Sequence, residues 1–299
     1  MDKATATAIL RRFVDPRLTV TALRPLSGGM VNTVLEFVTD GEPASVVAKV
    51  SEDSRHGGFR RECDSLEWFR RHTTLPVPRP YACIDGGPEP AGKCLLMEKV
   101  PGRNLAEARL TRAGRRHFQV ELARFVADLH EHRRDTYGSA LEAGTCTRWL
   151  DAFGPGIEDE FLAVRERLSR RARDGVARLL NHLDEWLPES SEPTLVHGDL
   201  WATNIMVDDA DPDRPRITAF LDGGAHFREV ESELAYLRVF HTADAAFFEH
   251  YGRRHPLGEG FDRRCRVYWL NTMMLHVRHF GAEYLPACED LARQIELLG

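Results

Sequence analysis

The hydrophobic period along the chain changes more than once. Residues 4–13 place Ile9, Leu10 and Phe13 on helical spacing and predict a short helix. From Val20 the apolar residues gather into β-prone runs at 20–26, 31–38 and 44–50, with Asp40-Gly41 as the turn between the last two. Phe59, Glu62, Leu66 and Phe69 then fall at i, i+3, i+7 and i+10, the spacing of an amphipathic helix. Leu75-Pro76-Val77-Pro78-Arg79-Pro80 reads as a rigid extended connector, and 93–100 as a strand ending in the turn Pro101-Gly102. Beyond Arg112 the period is helical. Phe118, Leu122, Phe125 and Leu129 mark one face of a helix capped by Thr111 and ending at His130. Weaker signals predict a short helix around Trp149, Leu150 and Phe153 and two more at 157–173 and 176–187. Glu158-Asp159-Glu160 and the arginines of 165–173 read as solvated faces of these helices, with attraction of an amine-bearing substrate as the alternative for the acidic cluster. The chain closes with helices at 229–237, around Phe247, Phe248 and Tyr251, at 267–280 and at 284–298.

Between the helical stretches lie three short apolar runs, Leu195-Val196, 205–207 and 217–221. The polar, proline-containing segment 208–216 joins the last two as an antiparallel hairpin. In a hairpin the start of one strand lies beside the end of the other, so Asn204 and Asp222 share an end. The loop carrying Asp199 leads into that end. Three oxygen-bearing side chains therefore converge, and hard ligands with few carboxylates suit Mg²⁺ that also holds substrate phosphates.

A second constellation precedes it. In Val46-Val47-Ala48-Lys49-Val50 an ammonium interrupts an apolar strand, which is costly without a partner. Glu62 points from the apolar face of the next helix and needs a cation. A Lys49–Glu62 pair satisfies both and leaves Lys49 able to reach phosphates. Upstream, Ser27-Gly28-Gly29 lies between two strands, where glycines let backbone N–H groups approach an anion.

His197-Gly198-Asp199-Leu200 with Asn204 resembles the catalytic loop of the aminoglycoside phosphotransferase and choline kinase superfamily, small-molecule relatives of the protein kinases. With Trp201 included, the string is similar to the fructosamine (ketosamine) kinase branch. The resemblance implies an α+β, bilobal protein-kinase-like fold, with a small antiparallel-sheet lobe carrying one main helix and a larger, mostly helical lobe. The two lobes are expected at 1–99 and 100–299. It implies Asp199 as catalytic base, Asn204 and Asp222 as metal ligands, His197 as a brace and Glu233 as support for the loop from behind. It further implies ATP and Mg²⁺ as cofactors, with Ser27, Gly28, Gly29, Lys49 and Glu62 serving the phosphates. Backbone groups of Glu98 and Val100 would meet the adenine edge, with Met97 behind the base. One departure stands out: fructosamine kinases follow the metal aspartate with Pro-Ala, whereas Asp222 is followed by Gly223-Gly224.

Other readings are constrained by the same residues. An aminoglycoside kinase is the nearest alternative; Leu200-Trp201 favours the ketosamine branch and the missing Pro-Ala disfavours it. A nucleotide-binding pseudokinase would lack at least one of Lys49, Glu62, Asp199, Asn204 and Asp222, and all five are present. A helix starts within about ten residues of Asp222, which leaves no room for the activation segment of a protein kinase and favours a small hydroxyl compound as acceptor.

Composition narrows the setting. A length of 299 residues exceeds the usual single core, in keeping with two lobes. The net charge of −6 argues against a nucleic-acid surface and is compatible with a cationic or neutral acceptor, including an amine. No apolar run is long enough to span a bilayer, and Met1-Asp2-Lys3-Ala4 lacks a signal core, so a cytoplasmic protein is expected. Six cysteines without a C-x-x-C pair predict free thiols rather than a zinc or redox site. His276 and His279, one helical turn apart, lack a third ligand nearby in sequence and read as structural.

Overall fold

A computed structural model describes residues 1–26, 33–51, 59–85, 93–187 and 191–298. The chain begins with α1 (Lys3–Phe13), β1 (Val20–Pro25), β2 (Thr33–Thr39), β3 (Ser45–Ser51), α2 (Arg60–His72), β4 (Pro80–Asp85), β5 (Lys93–Glu98) and β6 (Arg103–Asn104). It continues with α3 (Arg112–Leu129), β7 (Gly138–Ser139), α4 (Trp149–Val164), α5 (Arg170–Asn181), α6 (Leu183–Trp186), β8 (Thr194–Val196), β9 (Ile205–Asp208) and β10 (Arg216–Phe220). It ends with β11 (His226–Arg228), α7 (Glu231–Val239), α8 (Ala245–Tyr251), α9 (Phe261–His279) and α10 (Leu285–Leu298). Two compact units emerge, Met1–Phe118 with Ala202–Gly224, and Gln119–Trp201 with Ala225–Gly299.

The first unit is built on an antiparallel sheet of order β1-β2-β3-β5-β4. The period of two along β3 gives the sheet two different faces. Val46, Ala48 and Val50 join Ala6, Ile9 and Leu10 of α1 in one apolar cluster. Val47 and Lys49 therefore turn to the opposite face, in register with Met97 and Leu95 of β5. α2 buries Leu66 and Phe69. β4 is an edge strand with no counterpart among the expected elements, apart from Pro80 at the end of the connector. Its leading proline is tolerated because it opens an edge strand, where no ladder bond is lost.

The hairpin expected at 205–221 forms as β9 and β10, and β6 adds a third strand to it. A bulge between Ile217 and Ala219 lets the Thr218 hydroxyl donate to the carbonyl of Pro101 at 2.7 Å. The neighbouring Gly102 has φ +93°, and a Cβ there would stand 2.3 Å from the carbonyl oxygen of Val207. Gly102→Ala is expected to lower stability by at least about 1–2 kcal/mol from the left-handed backbone alone, with the backbone clash adding to it. Urea unfolding of the variant checks this.

The second unit is mostly helical, with a small sheet of order β7-β11-β8. The Thr111 cap expected for α3 forms, its hydroxyl accepting the Gly114 amide at 3.1 Å. Three expectations fail here. The spacing predicts separate helices around Trp149–Phe153 and from Ile157, yet α4 runs unbroken through Pro155. Trp149, Ile157, Phe161 and Val164 are all buried on one stripe, and that packing outweighs the missing N–H of Pro155. The helix expected over 157–173 instead ends at Val164. Ser169 then caps α5 by accepting the Ala172 amide at 3.2 Å, and the helix expected over 176–187 is split between α5 and α6. His276 is held by the Thr272 carbonyl at 2.8 Å among Phe240, Phe280 and Tyr284, a structural role. All six cysteines are unpaired, and no described helix is long and apolar enough to cross a membrane.

Candidate active site

The first unit contains a cavity of about 190 Å³ whose lining includes Val47, Lys49, Met97, Glu98, Val100, Asn204 and Asp222. Strand parity brings Val47, Lys49 and Met97 to it, since they share the face turned away from α1. The buried Lys49 ammonium donates to Glu62 at 2.6 Å and to Asp222. Burial works to lower the pKa of Lys49, but the two carboxylates outweigh it and the net shift is upward. Burial pushes the Glu62 carboxyl up to about 7, with Lys49 opposing the rise. The expected Lys49–Glu62 pair is therefore present, and Asp222 is a third member that the sequence did not assign to it.

Asn204 and Asp222 come to one end of the hairpin, where the Leu221 amide donates to the Asn204 carbonyl at 2.8 Å. Asp222 itself has φ +61°, a conformation that asparagine and aspartate tolerate better than other side chains. The pair offers one carboxamide and one carboxylate, the hard oxygens that suit Mg²⁺ bound together with phosphates. Among the described residues no cluster of three or more His, Cys, Asp or Glu side chains forms a dedicated metal cage. The Glu98 amide donates to the Arg79 carbonyl at 2.8 Å, so a ligand meeting this residue's backbone would use its carbonyl. β5 lies inside the sheet between β3 and β4. Ser27, Gly28 and Gly29 lie outside the described residues.

Asp199 belongs to the second unit. Its loop turns at Gly198, φ +90°, whose amide donates to Glu233 Oε1 at 2.6 Å. Glu233 Oε2 meets His130 Nε2 at 3.0 Å, and His130 Nδ1 meets the Tyr251 hydroxyl at 2.8 Å. His130 and Glu233 are buried, so the loop stands on a buried polar chain running from α7 to the end of α3 and to α8. His197 braces the loop locally, its Nδ1 accepting the Asp199 amide at 3.3 Å. The sequence reading missed Tyr236, whose hydroxyl donates to Asp199 Oδ1 at 2.5 Å. Burial, then Asp199, raises the pKa of the Tyr236 phenol. The signal was available: Tyr236 follows Glu233 by three residues and so shares its helix face.

Beside this loop is a second cavity, about 340 Å³, lined by residues of α4, α7 and α9 that include Trp149, Phe153, Glu160, Tyr236, Tyr268 and Asn271. Glu158 and Asp159 are exposed, as expected of a solvated face, but Glu160 is turned into this cavity. Tyr268 is anchored from behind by the buried Glu229, which accepts from its hydroxyl at 2.7 Å and from the Glu231 amide at 3.0 Å.

Burial pushes the Glu229 carboxyl from 4.5 up to about 7. The folded state therefore keeps this proton to higher pH than the unfolded chain does. The resulting stabilisation is complete below the unfolded value and is lost as pH rises through the folded one, by roughly 3 kcal/mol. Glu229→Gln retains an acceptor for Tyr268 and is expected to flatten that decline, measured as the difference in unfolding free energy between about pH 5 and pH 8.

A profile of the fructosamine kinase family matches residues 1–297. Ketosamine-3-kinase of Mus musculus is 26% identical over 308 residues, covering 90% of this chain and 93% of the relative. The chloroplastic protein-ribulosamine 3-kinase of Arabidopsis thaliana is 23% identical, covering 89% of this chain and 79% of the relative. Among solved structures, a candidate fructosamine-3-kinase of Haemophilus somnus 129PT aligns with a TM-score of 0.74 at 20% identity, over 97% of this chain and 96% of that one. The aminoglycoside phosphotransferase APH(4)-Ia, solved as a thermostable mutant with AMP-PNP and hygromycin B, aligns at 0.68 and 20% identity, over 97% of both chains. These structural likenesses establish the shared kinase-like fold, and the profile spans nearly the whole chain. The protein belongs to the fructosamine kinase family of small-molecule phosphotransferases.

Proposed function

We propose that the chain transfers the γ-phosphoryl group of ATP to a hydroxyl of a ketosamine. The observation that carries this reading is Lys49, held by Glu62 and Asp222 on the wall of a cavity that Met97, Glu98 and Val100 also line. Lys49 pairs with the nucleotide phosphates, and the Glu98 carbonyl and Val100 amide take the adenine edge over Met97. Asn204 and Asp222 would hold Mg²⁺, which when bound neutralises charge on the phosphates. Asp199 orients the acceptor hydroxyl and takes its proton. The hydroxyl oxygen bonds to the γ-phosphorus as the bond to the β-bridging oxygen breaks, and ADP leaves with that electron pair. Tyr236 holds Asp199 in position, and the Glu233 chain holds the loop. Catalysis is mainly positioning and charge stabilisation.

The acceptor occupies the cavity of the second unit. The mouse and plant relatives are named for ketosamine and ribulosamine phosphorylation, and two buried oxygens lining the cavity, Glu160 Oε2 and Asn271 Oδ1, have no hydrogen-bond partner among the described residues. Acceptors of this kind suit the ammonium and hydroxyl donors of a sugar amine. Magnesium-dependent ADP release should be stimulated by fructosyl- and ribulosyl-amines and not by aminoglycosides. Stimulation by an aminoglycoside alone would move the protein to antibiotic phosphorylation, and nucleotide binding without turnover on any acceptor would remove the ketosamine assignment.

A further inference from the structure

Arg228, the last residue of β11, lines the same 340 Å³ cavity as Glu160 and Asn271. Its guanidinium makes no hydrogen bond or ion pair with any described residue, although burial acts to lower its pKa and only the fields of Glu233 and Asp199 oppose that. The other charged side chains of the pocket have partners. Glu233 holds Gly198 and His130, and Glu160 Oε1 is paired with Arg278 at 3.1 Å. Two kinds of unmet demand are left in one small cavity: a forked cation able to make paired hydrogen bonds, and the buried acceptors Glu160 Oε2 and Asn271 Oδ1. A neutral polyol would leave the guanidinium without an ion-pair partner, and a simple amine would do the same. Planar, two-pronged recognition by arginine is matched by a carboxylate. A partly buried guanidinium without an ion-pair partner among the described residues and a buried carboxylate oxygen in one pocket call for a ligand bearing both opposite charges. A cavity near the small end of ligand pockets limits that ligand to about one sugar and one short amino acid.

We propose that the physiological acceptor is a free glycated amino acid, a zwitterion whose carboxylate is held by Arg228 and whose secondary ammonium is held by Glu160 Oε2. This rests on the ketosamine-kinase reading above and deepens it, because a ketosamine on a protein lysine carries no carboxylate at that position. Arg228 and Glu160 are specificity residues here, binding the acceptor's carboxylate and ammonium.

The test uses the full chain with ATP and Mg²⁺ and two acceptors of equal size, fructosyl-glycine and fructosyl-glycinamide, in which an uncharged amide replaces the carboxylate and the secondary ammonium is kept. The wild type is expected to favour the acid by about tenfold or more in kcat/KM, the order of one charge-assisted contact. Arg228→Gln is expected to bring the acid-to-amide ratio close to one, and Arg228→Lys to retain part of it. Glu160→Gln is expected to depress both acceptors and keep the ratio. Equal kcat/KM for acid and amide in the wild type overturns the proposal while leaving the kinase assignment intact, and so does an undiminished ratio in Arg228→Gln. The wild-type comparison decides the matter even if the variants do not fold. Failure of both acceptors to be phosphorylated overturns the ketosamine reading and this inference with it.

Discussion

Asp199→Asn is expected to reduce kcat by about 10²–10⁴-fold, the usual worth of a positioned general base. The amide keeps an oxygen to accept from Tyr236, which donates to Asp199 Oδ1 at 2.5 Å, so the loop is retained while the proton acceptor is lost. Lys49 and Asp222, which serve the nucleotide in the proposed reaction, are unchanged in this variant, so nucleotide affinity should hold within about twofold. Single-turnover kinetics with a saturating ketosamine, beside a nucleotide titration, separates the two effects. Turnover close to that of the wild type would remove Asp199 from the reaction. Tyr236→Phe is the informative companion. It deletes the donor to Asp199 and should lower kcat far less than loss of the base itself.

The second large effect is structural. Glu233 has a side chain only 1% exposed and serves two neighbours, the Gly198 amide at 2.6 Å and His130 Nε2 at 3.0 Å. Glu233→Ala deprives both of their partner inside the core and leaves a void. At about 1–3 kcal/mol for each stranded polar group, a loss of roughly 3–5 kcal/mol is expected. Activity should fall with it, because Gly198 immediately precedes Asp199. Glu233→Gln should cost less, since its oxygen still accepts from Gly198 and its amide nitrogen can donate to an unprotonated His130 Nε2. Chemical denaturation of the two variants provides the comparison. Equal stability of Glu233→Ala and the wild type would contradict the supporting role.

Two pairings among the candidate site residues are legible in the sequence because they rest on short-range patterns. An ammonium in an apolar strand and a carboxylate on an apolar helix face each require a partner, and Lys49 and Glu62 are indeed 2.6 Å apart. A turn between two β-prone runs dictates which residues share an end, and Asn204 and Asp222 do, joined through the Leu221 amide. Local pattern also sufficed for the helix capped by Thr111. Tertiary packing decided the rest. The buried stripe from Trp149 to Val164 carries α4 through Pro155, which local propensity reads as a break. An edge position admits β4 despite its leading proline. Glu160 looked like part of a solvated acidic run, and only the rotation of α4 against α9 turns it inward while Glu158 and Asp159 stay in water. Arg228 carried no local signal, because a strand-end arginine is ordinarily solvated. Its place in a cavity depends on helices far from it in sequence. Periodicity and spacing report what a residue needs from its near neighbours, whereas a pocket is defined by elements that meet only when the chain has folded.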